Sequence, residues 1–246
     1  MIVFDIETGP LPDEVLEARV QPFECPPHPG EFDASAVKTG NIKDPAKIKE
    51  KVEAAREAHA AAVARYEADV AAAKAQWWAD AKSRAALSPL TGRVLAVGYY
   101  STDSGNTILD IDEDESGMLG RFWGQYTKAK QAGRRLVGHN IYGFDIPFLM
   151  RRCWLLGFDV PQAVVDRGRW IDSTTLVDTM QLWGCGNREP VKLDVIARAF
   201  GVGQKPDGID GGMFSELLVS NPELAKKYLA NDLQMTAGVA ERMGVI

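Results

Sequence analysis

The segment IVFDIETGP, from Ile2 to Pro10, sets the hardest condition on what this chain can fold into. Ile2, Val3, Phe4 and Ile6 are residues of a core strand, and residues 1–8 are expected to form one. Side chains two apart in a strand share a face, so Asp5 and Glu7 stand side by side. Charges are seldom buried without a partner, and two carboxylates this close repel each other. The fold must therefore bring a compensating cation to that face. No other Asp-x-Glu occurs in the chain.

The 246 residues suit one large domain, or one domain carrying an insertion. With 46% hydrophobic and 25% charged residues, a soluble globular class is expected. No apolar run approaches the ~20 residues of a membrane span, and no signal-like segment opens the chain. Cys25, Cys153 and Cys185 are odd in number and widely spaced, which points to a reducing, cytoplasmic compartment. Cys25-Pro-Pro-His28 has the look of half a zinc site, but no second pair follows, so a loop is expected there.

Residues 10–40 are rich in Pro and Gly and read as irregular. Asp44-Pro45 is a helix-start signal, and the next Gly or Pro is Pro89. One helix of about 40 residues, roughly 60 Å long, is expected between them, or two forming a hairpin. Val63, Tyr66, Val70, Ala73 and Trp77 recur at spacings of three and four and make an apolar seam. The seam would pack on the body of the protein, on a second helix, or on another copy of the chain. Strands are expected at 93–100, 107–111, 135–138 and 170–173, and helices at 116–131, 146–156, 192–200 and 222–242, an α/β layout with a mixed sheet. The acidic run Asp112–Glu115 reads as a solvated turn and helix start. Residues 201–212 read as a Gly-rich loop.

Two further carboxylates suit the first strand. Asp145 follows a short strand and precedes Pro147, which places it in the first turn of a helix. Tyr228 and Asp232 are four apart on a helix and share a face. Tyr99 and Asp103 repeat that spacing, but at a strand end, where it does not bring side chains together. Asp5, Glu7, Asp145 and Asp232 could converge on two hard divalent cations. Two Mg²⁺, with Mn²⁺ able to substitute, would clamp the attacking and leaving oxygens of a phosphoryl displacement. Asp172 and Asp178 are rivals for the place of a ligand.

FDIET, GHNIYGFDIPFL and YLAND resemble the three exonuclease motifs of the DnaQ-like superfamily in its Tyr-containing DEDD branch, and are similar to the proofreading domain of family B DNA polymerases. KLDVIARAFGV and the last helix fit the same pattern. The resemblance covers residues 1–9 and about 90–244. It implies an RNase H-like mixed sheet flanked by helices, a single exonuclease domain over 1–246, and a helical insertion over 10–89 between the first two strands. It further implies that Asp5 bridges both metals, that Glu7 and Asp232 complete the tighter site, and that Asp145 serves the second. Tyr228 would orient the attacking water, and a nucleoside 5′-monophosphate would leave from a 3′ end. Of the substrate contacts, the backbone at Thr8 would meet the terminal nucleotide, and Asn140 would bind it. Phe144 would stack on the base or belong to the core. Lys192 would approach a phosphate or be a solvated helix start. His139 is expected to be structural.

The expected activity is metal-dependent 3′→5′ hydrolysis of single-stranded or frayed DNA ends. RNA trimming is one alternative, and a catalytically idle nucleic-acid-binding or assembly module is another. Four of the six net negative charges belong to the proposed ligands, so no broad duplex-binding surface is implied. A polymerase or another replication or repair protein would be a partner in trans, the helical insertion offers a surface for self-association, and no membrane is involved.

Overall fold

A computed structural model describes residues 1–164, 172–185, 187, 189–206, 208 and 211–245. The chain forms two compact units, one of Met1–Arg19 with Ser83–Ile246, the other of Val20–Lys82. In chain order the elements are β1 (Ile2–Pro10), α1 (Asp13–Glu17), α2 (Pro45–Ala85), β2 (Gly92–Ser101), β3 (Thr107–Ile111), α3 (Glu115–Gln131), β4 (Leu136–Gly138), α4 (Asp145–Leu156), β5 (Leu176–Asp178), α5 (Thr179–Trp183), α6 (Leu193–Phe200), α7 (Phe214–Ser220) and α8 (Pro222–Arg242). Among the described residues no helix is long and apolar enough to cross a membrane.

The first unit is built on a five-stranded sheet in the order β3-β2-β1-β4-β5. β1 pairs antiparallel with β2 and parallel with β4, so the sheet is mixed and β1 lies at its centre. The alternation of β1 decides which helices cover it. Phe4 and Ile6 point to one face, into a core with Met118, Leu119 and Phe122 of α3 and Ile146 and Leu149 of α4. Val3 points to the other, against Tyr228, Leu229 and Leu233 of α8. Asp5 and Glu7 share the parity of Val3 and so belong to the α8 side. The β1–β2 register slips between Glu7 and Thr8, at the point where the acidic pair ends.

Most expected elements are present, with differences that have physical causes. Glu115 is not solvated. It is buried and makes a bidentate pair with the buried Arg152, at 2.8 and 2.6 Å, while also accepting from the backbone N–H of Val94. The run Asp112–Glu115 is therefore exposed only up to its last member. Of the strand expected at 170–173, residues 170 and 171 lie outside the described residues, and Asp172 and Ser173 are not in a strand. The fifth strand is Leu176–Asp178 instead. Helices α1, α5 and α7 have five, five and seven residues, too short for a helical period to show in sequence.

In the second unit the Ala-rich run is one helix of 41 residues rather than a hairpin. The irregular segment before it lies along the apolar seam as a strap in reverse order. Phe23 meets Trp77 at 5.8 Å between ring centroids, His28 meets Tyr66 at 4.6 Å, and Phe32 meets His59 at 5.5 Å. The Tyr66 hydroxyl donates to the carbonyl of Pro26 at 2.8 Å and lies 3.4 Å from Cys25 Sγ. His28 Nδ1 accepts from the N–H of Gly30, so Cys25 and His28 take part in strap packing rather than in a metal site.

Candidate active site

Three elements supply the acidic residues. β1 carries Asp5 and Glu7 toward α8, and α8 carries Asp232 toward β1. Gly98, the register partner of Asp5 on β2, lets the helix come close: a Cβ there would lie 2.7 Å from Leu233 and 3.0 Å from Leu229. Asp5, Glu7 and Asp232 each offer a carboxylate oxygen, and these oxygens lie within 4.8 Å of one another. Among the described residues this is the sole cluster of its kind. Asp145 opens α4, and its Oδ1 accepts the N–H of Ile6 at 3.2 Å, which holds it on the strand between the other two acids. It stands outside the triplet, although its charge is felt at Glu7 and that of Asp5 is felt at Asp145.

The electrostatics are those of a site short of positive charge. Burial, and then Asp232, push the Asp5 carboxyl up to about 7. Burial and the neighbouring Asp5 hold Glu7 well above the usual carboxylate range, and the same two causes raise Asp145. Asp232 is raised by burial even though Lys205 pulls the other way. Its Oδ1 is buried and has no hydrogen-bond partner. Clustered hard oxygens, one of them orphaned, with no soft donor among them, fit Mg²⁺ or Mn²⁺. Asp5, Glu7 and Asp232 would hold one such ion, with Asp145 placed for a second.

Tyr228 lies one turn before Asp232, almost fully buried, and its hydroxyl shares the Lys205 ammonium with that carboxylate. Burial, then the charges of Asp232 and Glu7, push the phenol far above its ordinary range, so it stays protonated. Gly211 also comes close to this pair of elements, β1 and α8. A Cβ on Gly211 would sit 3.8 Å from the Tyr228 hydroxyl and 3.9 Å from Glu7 Oε2.

A cavity of about 570 Å³ opens on Asp5, Asp145 and Asp232. Asn140, Phe144 and Lys192 line it. Asn140 takes a left-handed backbone, φ 63°, and its N–H donates to Asp178. Phe144 has both expected characters, since it lines the cavity and also packs on the core and on Phe148. Lys192 is exposed at the start of α6. Thr8 is not brought to the cavity. It is buried in the β1–β2 pairing, and its hydroxyl donates to the carbonyl of Ala86 at 2.7 Å.

The remaining polar groups have other employment. His139 lines the cavity, but Nδ1 meets Thr179 and Nε2 meets the carbonyl of Val191, both at 2.8 Å, and burial lowers its basicity. Asp178 accepts from the N–H groups of Asn140, Tyr142, Met180 and Gln181, which caps α5 and fastens the loop after β4. Asp172 pairs with Lys130 and Tyr126. Neither belongs to the triplet of clustered acids, although the charge of Asp178 is felt at Asp145. Sequence reasoning missed Lys205, whose ammonium donates to Asp232 Oδ2 at 2.6 Å and to the Tyr228 hydroxyl. Its position within a Gly-rich loop was the sole signal, and nothing in that loop's spacing points to α8.

Residues 85–220, more than half of the chain, match a model of the RNase_H superfamily, and the chain belongs to that superfamily. The matched range holds Asp145, while the other three acids and Tyr228 lie outside it. Among 49 matching chains of solved structures is the family B DNA polymerase of the hyperthermophilic archaeon Pyrobaculum calidifontis. It is similar with a TM-score of 0.52 and 23% identity, over 65% of this chain and 23% of that one. The present chain thus spans about a quarter of the polymerase's length. Sheet order, helix placement and family agree on the RNase H fold. No curated protein matches the chain.

Proposed function

We propose that the protein is a metal-dependent 3′→5′ exonuclease of the Tyr-containing DEDD type, removing nucleoside 5′-monophosphates from single-stranded or frayed DNA ends. The family is one of nucleases, and the observation that carries the reading further is the meeting of Asp5, Glu7 and Asp232 within 4.8 Å, next to Asp145 and Tyr228. Two divalent cations held by these acids would act as Lewis acids on the attacking and leaving oxygens. The chain's own residues do the rest. Tyr228 orients water as a hydrogen-bonding group. Phe144 and Asn140 hold the terminal nucleotide in the cavity, where aromatic stacking tolerates any base. Lys192, at the mouth, meets a phosphate. In this reading the substrate is a single-stranded or frayed end, and a polymerase would act in trans.

A 5′-labelled single-stranded oligonucleotide incubated with Mg²⁺ should shorten from its 3′ end, with mononucleotide as the released product and no shortening by Asp5→Asn. Failure of the wild-type protein to hydrolyse it in either Mg²⁺ or Mn²⁺ would overturn the proposal. An RNA of the same sequence, run in parallel, reads whether the 2′-hydroxyl is tolerated.

A further inference from the structure

Lys205 stands where the acidic cluster needs positive charge. Its backbone N–H donates to Asp194 Oδ1 at 2.8 Å, and the carbonyl of Gln204 before it accepts from Asn231 of α8 at 3.2 Å, so the peptide bond that leads into Lys205 is held at both its N–H and its carbonyl. From that anchor the side chain reaches inward. Nζ bonds Asp232 Oδ2 and the Tyr228 hydroxyl and lies 4.6 Å from the centre of the Tyr228 ring. It also lines the cavity, which leaves it somewhere to go. An ion touching Asp5, Glu7 and Asp232 would sit roughly 2 Å from an Asp232 oxygen, and hence within about 7 Å of an ammonium bonded to the same carboxylate. At that separation, in a buried site, a dication and an ammonium repel strongly.

We infer that Lys205 is a built-in competitor for the tighter cation position: its ammonium offsets part of the cluster's charge in the metal-free protein and is displaced into the cavity when the ion loads. This rests on the metal-site reading above. Lys205 is then a positioning residue that sets metal affinity. It lets buried acids coexist without metal, at the expense of weaker loading.

Mn²⁺ binding, followed by the electron paramagnetic resonance of free Mn²⁺ without nucleic acid, tests this. Lys205→Met should bind about tenfold more tightly than wild type, and Lys205→Arg, which keeps the charge, should stay near wild type. Asp5→Asn shows which binding belongs to the cluster. Equal or weaker binding by Lys205→Met, with wild type binding normally, overturns the role of Lys205 alone. No binding by either protein overturns the metal site and this inference with it. A second measurement uses the unmutated protein: amine acylation read by mass spectrometry should label Lys205 several-fold faster with Mg²⁺ than without. An unchanged or slower rate would also overturn the inference.

Discussion

Asp5 carries two burdens that its neighbours share only in part: it is at the centre of the sheet, and it faces Asp232 from the next layer. Asp5→Asn keeps the shape and removes one of the repelling charges. We expect turnover to fall by at least about 10³-fold while the melting temperature in EDTA holds or rises, checked by oligonucleotide hydrolysis beside thermal unfolding. Tyr228→Phe loses a hydrogen-bonding group and no metal ligand, so kcat should fall by about 10–100-fold with KM little changed, as single-turnover kinetics would read. The choice of Tyr228 and Asp232 over Tyr99 and Asp103 was legible because one pair sits on a helix. In the fold Asp103 is taken by the amino terminus, at 3.0 Å, far from any such role. Lys205 was not legible, because its partners lie 23 and 27 residues away and no local period links them.

At the scale of elements, the site depends on how closely α8 lies on β1 and β2. Gly98→Val would drive a branched side chain against Leu229 and Leu233, and should cost about 1–3 kcal/mol in denaturant unfolding while weakening Mn²⁺ binding as Asp232 recedes from Asp5. On the opposite layer, Glu115 and Arg152 tie the start of α3 to α4. Arg152→Ala leaves Glu115 buried without its cation and should destabilise by about 3–5 kcal/mol, read by the same unfolding curves. Asp172 sets the behaviour in acid. Burial raises its carboxyl, but hydrogen bonds from Lys130, Thr174, Thr175 and Tyr126 outweigh that and hold it below the usual range. A carboxyl depressed on folding stabilises above its unfolded value, near 3.8 here, and the contribution fades as pH falls below it. Asp172→Asn should therefore be less stable than wild type at neutral pH, with the gap closing below about pH 4 in urea unfolding at both pH values. The first of these ion pairs joins residues 37 apart, which is why a run of acids read as a solvated turn ends in a core residue.

Over the whole molecule, the chain is an RNase H-type sheet interrupted after its first strand by a helix of 41 residues with its own strap. Tyr66→Ala removes the contact that His28 and Pro26 share, so amide exchange over 23–32 should quicken while β1 and α8 amides keep their protection, measured by hydrogen–deuterium exchange. Local periodicity determined the first four strands of the sheet, the long helices, and the parity that sets Asp5 beside Glu7, since a period of two or 3.6 is written into neighbouring residues. It also marked the seam of α2. What covers the seam, where the fifth strand starts, whether Thr8 reaches the cavity, and which cation answers the acidic cluster were decided only in three dimensions. Each depends on groups brought together from distant parts of the chain, and such meetings follow from packing and charge balance rather than from any spacing along it.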